Sequence, residues 1–236
     1  MKKYMVITGA SKGIGRATAD ALVERGWSVI GVARTKPVDF PGEFLEVDLA
    51  DQGKTETLAH DLAAHGRVLG ILNNVGLAKH ETFGTVELRG FATIMDLNVR
   101  TALQLTQAVL PGMQSAQFGR IVNITSLVTR GLAFRSSYAA AKAALESLTR
   151  TIAIELAPEG ITANAVAPGP TETELFRSNN PRGSDGEGRY LARVPMKRLA
   201  KPCEVAAAVA FLASEESGFI TGQTLFVDGG ASLGSL

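Results

Sequence analysis

The stretch Thr8-Gly9-Ala10-Ser11-Lys12-Gly13-Ile14-Gly15 decides the fold, because it joins the short apolar run Tyr4–Thr8 to the alanine- and leucine-rich segment Ala17–Arg25. A β-type run, a glycine turn and a helical run in that order make a strand–turn–helix corner. Glycines there let the backbone come close to a phosphate, and the first N–H groups of the helix, unpaired within it, offer hydrogen bonds and a favourable dipole. The turn therefore predicts a bound dinucleotide pyrophosphate, with Gly9, Ser11, Lys12, Gly13, Ile14 and Gly15 around it. Its spacing, G-x-x-x-G-x-G, departs from the commoner G-x-G-x-x-G fingerprint.

Outward from this corner, β-type runs recur at Ser28–Ala33, Phe44–Val47, Leu69–Asn73, Arg120–Thr125, Ile161–Ala167 and Thr224–Val227. Helical patterns separate most of them, most clearly at Asn98–Met113, Ser137–Leu156 and Glu204–Ala213, with Gly26, Pro111–Gly112, Pro158 and Gly160 as stop signals. Runs such as VIGV and GRIVNIT are apolar on both faces, as strands covered by helices on both sides must be. The expected fold is α/β: one doubly wound parallel sheet of about seven strands with helices on both faces, in a single domain over residues 1–236. The stretch Ser178–Arg189, SNNPRGSDGEGR, favours a loop, and residues 174–198 are expected to form a mobile substrate lid within that domain.

Composition excludes several classes. Hydrophobic residues make up 45% and charged residues 20%, which predicts a packed soluble domain. Twenty-four basic residues against 23 acidic ones leave a net charge of +1 with no basic block, so nucleic acid is not an expected partner. Cys203 is the only cysteine, which leaves no disulfide and no cysteine-based metal site; it is expected as a small buried side chain near a helix start. Neither a signal-peptide core nor the roughly 20-residue apolar run of a membrane-spanning helix is present, so the expected location is the cytoplasm, with no membrane and no metal.

Cofactor choice turns on the end of the second strand, where folds that prefer NAD place an acid to accept from the ribose 2′-hydroxyl. This chain has Arg34 there, and Lys12 adds a second cation in the turn. Both suit a 2′-phosphate through charge-assisted hydrogen bonds, so NADP(H) is favoured, with NAD(H) as the alternative.

Tyr138 and Lys142 stand four apart in the helical run SYAAAKAALESL, hence on one helix face. A free phenol titrates near pH ~10, and a neighbouring ammonium favours the phenolate, so the pair predicts a tyrosine acid/base whose pKa the lysine lowers.

Together these segments resemble the short-chain dehydrogenase/reductase family. The resemblance is carried by TGASKGIG at Thr8–Gly15, NNVG at Asn73–Gly76, the Tyr138/Lys142 pair, VAPGPTET at Val166–Thr173 and VDGG at Val227–Gly230, in the family's order and over nearly the whole chain. It implies a Rossmann-like fold and hydride transfer between a nicotinamide and a ketone or secondary alcohol. By the same resemblance Ser126, twelve positions before Tyr138, would hydrogen-bond the substrate oxygen, with Thr125, Ser136 and Ser137 as rival hydroxyls. Asn98 would hold a water that links Lys142 to solvent. Its plainer reading is a helix N-cap. Asp48 and Leu49 would meet the adenine, and Asn74, Val75 and Gly76 the adenosine ribose side. Ile14, Pro168, Gly169, Thr171 and Thr173 would surround the nicotinamide half with Tyr138 and Lys142.

The pattern is most similar to 3-oxoacyl-[acyl-carrier-protein] reductases. Leu77, Ser126, Phe134, Leu175, Phe176 and Tyr190 are expected against the substrate, an apolar ketone or alcohol or a 3-oxoacyl thioester. Where such enzymes often carry arginine for an acidic carrier protein, this chain has Gln117 and Glu159; Arg120, Arg130 and Arg135 are candidate substitutes. Two other readings stand beside this one: a non-catalytic NADP(H)-sensing module and an NAD-dependent secondary-alcohol dehydrogenase. The small, apolar helices Asn98–Met113 and Ser137–Leu156 resemble the family's dimer interface and the C-terminal strand its tetramer contact, so a homotetramer is expected.

Overall fold

In the computed structural model, which describes residues 2–233, the apolar runs form strands β1 (Tyr4–Thr8), β2 (Ser28–Ala33), β3 (Glu43–Glu46), β4 (Val68–Asn73), β5 (Gly119–Ile124), β6 (Ile161–Pro168) and β7 (Thr224–Val227). Between them lie helices α1 (Gly13–Glu24), α2 (Gln52–His65), α3 (Leu88–Met95), α4 (Thr101–Ala116), α5 (Ser136–Leu156), α6 (Glu174–Asn179), α7 (Asp185–Arg193) and α8 (Pro202–Leu212). All strand pairs are parallel, in the order β3-β2-β1-β4-β5-β6-β7, which makes the single doubly wound, Rossmann-like sheet expected from the sequence.

The chain direction across the sheet reverses between β1 and β4, whose registers pair Ile7 with Leu72. The crevice beyond the carboxyl ends of these two strands is where open α/β sheets bind ligands. Alternate residues of β1 explain the layers. Met5 and Ile7 pack with Leu22 of α1 and Val205 and Val209 of α8. Val6 packs on the other face with Leu58 and Leu62 of α2 and Leu105 and Val109 of α4. Each such fully buried aliphatic side chain stabilises the fold by about 1.5–3 kcal/mol relative to exposure.

A polar chain crosses this core. Asn73 Nδ2 donates to Thr106 Oγ1 (3.0 Å) and to Asn123 Oδ1 (2.8 Å), and Asn123 Nδ2 donates to Thr149 Oγ1 (2.8 Å). It ties α4, β4, β5 and α5 into one register, all directly beneath the crevice.

Four expectations are corrected. Pro111 does not stop its helix: α4 runs on to Ala116, because Pro111 faces solvent, where the carbonyl it leaves unpaired stays hydrated. That helix is also longer at its start, since α3 joins α4 through a π-helical turn, Asp96–Arg100. The glycine-rich stretch Ser178–Arg189 is not a plain loop. It contains the end of α6 and most of α7, the latter capped by Ser184, whose hydroxyl accepts from Glu187 N. Arg177 on α6 bridges Glu172 and, at 2.7 Å, Glu187 on α7, so charge pairing organises a segment that has few apolar side chains. Finally, Cys203 lies in the first turn of α8 but is exposed.

Candidate active site

The glycine turn at the end of β1 is built for close approach. Gly9 has φ 66°, in the left-handed region, and a Cβ on Gly15 would lie 2.3 Å from Gly9 O. Thr8 holds the turn to the end of β4, its hydroxyl accepting from Asn74 N (2.9 Å) and Val75 N (3.0 Å). Asn74 Nδ2 returns the contact, donating to Thr8 O (2.9 Å) and Gly9 O (3.2 Å). Asn74 thus shapes the turn rather than presenting its amide outward. Lys12 caps α1 without a side-chain hydrogen bond to the helix, so its first N–H groups are left to an anion. A cradle that any Cβ would fill, at a helix start, fits a pyrophosphate.

Arg34 follows β2 directly, exposed and without an ion pair among the described residues. Lys12 is differently placed: its ammonium lies 2.6 Å from the Glu174 carboxylate in the first turn of α6. Asp48 is exposed, its Oδ1 accepting from Ala50 N in a local turn, whereas Leu49 is buried in the core. Val75 packs against that core too, which accommodates its extra bulk.

Around Gly76 the catalytic candidates converge. A Cβ there would lie 2.6 Å from Asn98 Oδ1 and 3.3 Å from Lys142 Nζ. Asn98 is not an N-cap. It lies in the π turn, where its Nδ2 donates to Ile94 O (2.9 Å) and to Leu77 O (3.0 Å), and this fixes Oδ1 toward Gly76 as a buried acceptor without a partner. Such an orphaned acceptor needs a donor, and a water between it and Lys142 fits.

Lys142 is buried, and its Nζ donates to Ile124 O at 2.8 Å while lying 5.6 Å from the Tyr138 ring centre. Burial pulls the lysine down to about 7. Burial likewise pushes the Tyr138 phenol up to about 12, against opposing pulls from a Ser126 hydrogen bond and the Arg135 charge. Lys142 is directed at a backbone carbonyl, so it is not among the groups that pull the phenol down. Among the rival hydroxyls, Ser126 lines the same cavity as Tyr138 and pulls its phenol pKa down; Thr125 Oγ1 instead donates to Val166 O.

A cavity of about 400 Å³ opens over Ser126 and Tyr138. Ile14, Pro168, Gly169, Thr171 and Thr173 line one side, and Leu132, Leu175, Phe176 and Tyr190 another. Phe176 and Tyr190 meet edge to face at 5.3 Å, joining α6 to α7 over the opening. Leu77 and Phe134 do not line it: Leu77 is turned to the surface, and Phe134 stacks on His80 at 4.8 Å. Arg120 is also displaced from its suggested docking role, being buried with its guanidinium on the carbonyls of Ser214 and Gly119.

Glu81 carries a role the sequence did not reveal. Its Oε2 accepts from Ser137 N (3.1 Å) and its N–H donates to Phe134 O (3.0 Å), so it clamps the entry to α5 one residue before Tyr138. Ser137 holds the Glu81 carboxyl below its usual range. An acid in the polar segment AKHETFGT looks solvated by composition; only the fold buries it.

A family described as enoyl-(acyl carrier protein) reductase matches residues 9–232. The 3-oxoacyl-[acyl-carrier-protein] reductase of Vibrio cholerae is 39% identical over 242 residues, covering 97% of this chain and 96% of the relative. Among solved structures, a short-chain dehydrogenase/reductase family protein aligns with a TM-score of 0.87 and 34% identity, over 98% of this chain and 97% of that one. A putative NAD(P)-dependent gluconate 5-dehydrogenase from Beutenbergia cavernae, with bound NADP, aligns with a TM-score of 0.91 and 32% identity, over 97% and 96%.

Proposed function

The chain belongs to the short-chain dehydrogenase/reductase family of oxidoreductases, and from that premise we propose that it uses NADP(H) to reduce an apolar ketone or a 3-oxoacyl thioester. The observation that carries this reading is that Ser126 and Tyr138 line one mostly apolar cavity, while Lys142, 5.6 Å from the Tyr138 ring centre, meets Asn98 Oδ1 at Gly76.

The bound dinucleotide would supply the hydride. Its pyrophosphate would rest on Gly9, Gly13 and Gly15, and Arg34 and Lys12 would meet the 2′-phosphate, Lys12 by leaving Glu174. Ser126 orients the substrate carbonyl oxygen by a hydrogen bond. Tyr138 keeps its proton at neutral pH, since its phenol titrates at about 12, and donates it to that oxygen as negative charge develops. Lys142, at about 7, exchanges protons readily in the same range, and a water held at Asn98 Oδ1 would connect it to solvent, from which the proton given up by Tyr138 is replaced. Leu132, Leu175, Phe176 and Tyr190 shelter the apolar part of the substrate, and α6 and α7 act as the lid.

The relatives named for acyl-carrier substrates support a thioester. Gln117 and Glu159 argue for recognition of the acyl group itself over strong carrier docking, since neither is cationic, and Gln114 Nε2 already donates to Glu159. A cytoplasmic homotetramer is the proposed form. Leu103 on α4 and Ile154 on α5 are exposed apolar residues on the helices where subunits would pair, and β7 is an edge strand.

The test is NADPH consumption by the purified protein with a short 3-oxoacyl thioester and a panel of simple ketones, beside an NADH control. Reduction with NADPH clearly preferred supports the reading. Tight NADPH binding with no turnover of any substrate supports a sensor instead.

A further inference from the structure

Three arginines line the cavity that holds Ser126 and Tyr138, and no aspartate or glutamate lines it with them. Arg130 closes the 3-10 turn after β5, Arg135 directly precedes α5, and Arg193 ends α7. Among the described residues none of the three forms an ion pair or a side-chain hydrogen bond; Arg130 rests 5.8 Å from the Phe226 ring centre. Their neighbours differ. Arg177 is neutralised by Glu172 and Glu187, and Arg198 by Glu204 at 2.6 Å.

Positive charges that converge on an apolar cavity without a counter-charge raise the local affinity for anions, and a guanidinium matches carboxylate or phosphate through paired hydrogen bonds. We infer that the substrate is an anionic oxo compound, its carbonyl at Ser126 and Tyr138 and its carboxylate or phosphate held by Arg130 and Arg193. This deepens the reductase reading and rests on it. Arg135 directly precedes the helix that carries Tyr138, whereas Arg130 and Arg193 line the cavity from the turn after β5 and from the end of the lid helix α7. The apolar wall of Leu132, Leu175 and Phe176 takes the carbon chain between. The carbonyl carbon gains the hydride, its oxygen gains the Tyr138 proton, and the anionic end is unchanged. Its source is either the carboxylate of a free oxo acid or the phosphates of a thioester's carrier arm.

The experiment compares kcat/KM with NADPH for oxoalkanoates of increasing carbonyl-to-carboxylate spacing, each beside its methyl ester, and for a 3-oxoacyl coenzyme A thioester. The best acid should exceed its ester by roughly tenfold or more, the scale of a charge-assisted hydrogen bond. Preference for the thioester over every acid supports the inference when Arg130→Gln or Arg193→Gln abolishes it, and then identifies phosphate as the anion. Arg130→Gln and Arg193→Gln should each move the acid-to-ester ratio toward unity, mainly through KM, and a saturated alkanoate should raise the melting temperature of the cofactor-free protein where the matching amide does not. Esters reduced as well as acids and the thioester, or acid and thioester preferences both unmoved by the two variants, overturn the inference and leave the reductase reading standing. Arginine variants that weaken NADPH titration without changing the ratio assign these cations to the cofactor and overturn it too. Failure of every substrate while NADPH binds overturns both.

Discussion

The Lys12 ammonium lies 2.6 Å from the Glu174 carboxylate, so the glycine turn and the first turn of the lid helix α6 share one ion pair. A 2′-phosphate would compete with Glu174 for that lysine. Glu174→Gln should therefore tighten NADPH by about two- to fivefold, the modest scale of an exposed pair, and leave NADH unchanged. Arg34→Ala should weaken NADPH about tenfold or more at constant NADH affinity, because it removes a cation engaged with no protein partner. Fluorescence titration of both cofactors checks each value; equal losses for NADPH and NADH would refute a 2′-phosphate role.

Gly15→Ala should abolish tight cofactor binding and destabilise the protein, since its Cβ would meet Gly9 O at 2.3 Å. Gly53→Ala, at the start of α2 with its nearest contact at 3.5 Å, is the matched control and should be neutral or slightly stabilising. Thermal unfolding with and without NADPH separates the two.

Glu81→Ala should cost about 1–3 kcal/mol, because it leaves the buried Ser137 N–H without its acceptor. For a domain of this size the melting temperature should fall by roughly 2–4 °C per kcal/mol. The carboxyl is held below its usual range in the folded protein, so its contribution is present above the unfolded carboxyl's pKa and is lost as pH falls. Wild type should lose its advantage over Glu81→Ala in acid; an advantage independent of pH contradicts the clamp.

Lys142 gives the opposite sign. Its folded pKa is about 7 against 10.5 for the free side chain, so across that interval the unfolded chain binds the extra proton. The stability of wild type relative to Lys142→Met should therefore rise with pH from about 7 toward 10.5. Tyr138, raised from 10 to about 12, contributes stability that is lost as pH climbs through that higher interval. Chemical denaturation over a pH series kept below 10 reads the lysine effect largely apart from that of the tyrosine.

The strands were legible because both faces of the sheet are covered, which writes VIGV and GRIVNIT as unbroken apolar runs; β3, at the sheet edge and partly exposed, begins one residue earlier than its pattern. The glycine turn after β1, and the grouping in space of Asn98 with Lys142 and of Ser126 with Tyr138, were legible through motif order. The π turn was not, since it depends on the Asn98 amide capturing Ile94 O, a contact that leaves no periodic trace. Nor was α7, whose Asp185-Gly186-Glu187-Gly188 start has poor intrinsic propensity and is held by Arg177 from another helix. Phe134 was expected at the substrate, but Glu81 N binds its carbonyl, its φ is 64°, and its ring is turned onto His80.

The most direct measurement is NADPH binding and turnover in Tyr138→Phe, with the best substrate found for wild type. Removal of the phenolic proton donor should leave folding and NADPH affinity intact and lower kcat by about 10²–10⁴-fold, the usual worth of a positioned general acid. Turnover at the wild-type rate would contradict the account at its centre, because the proton would then come from a group other than Tyr138.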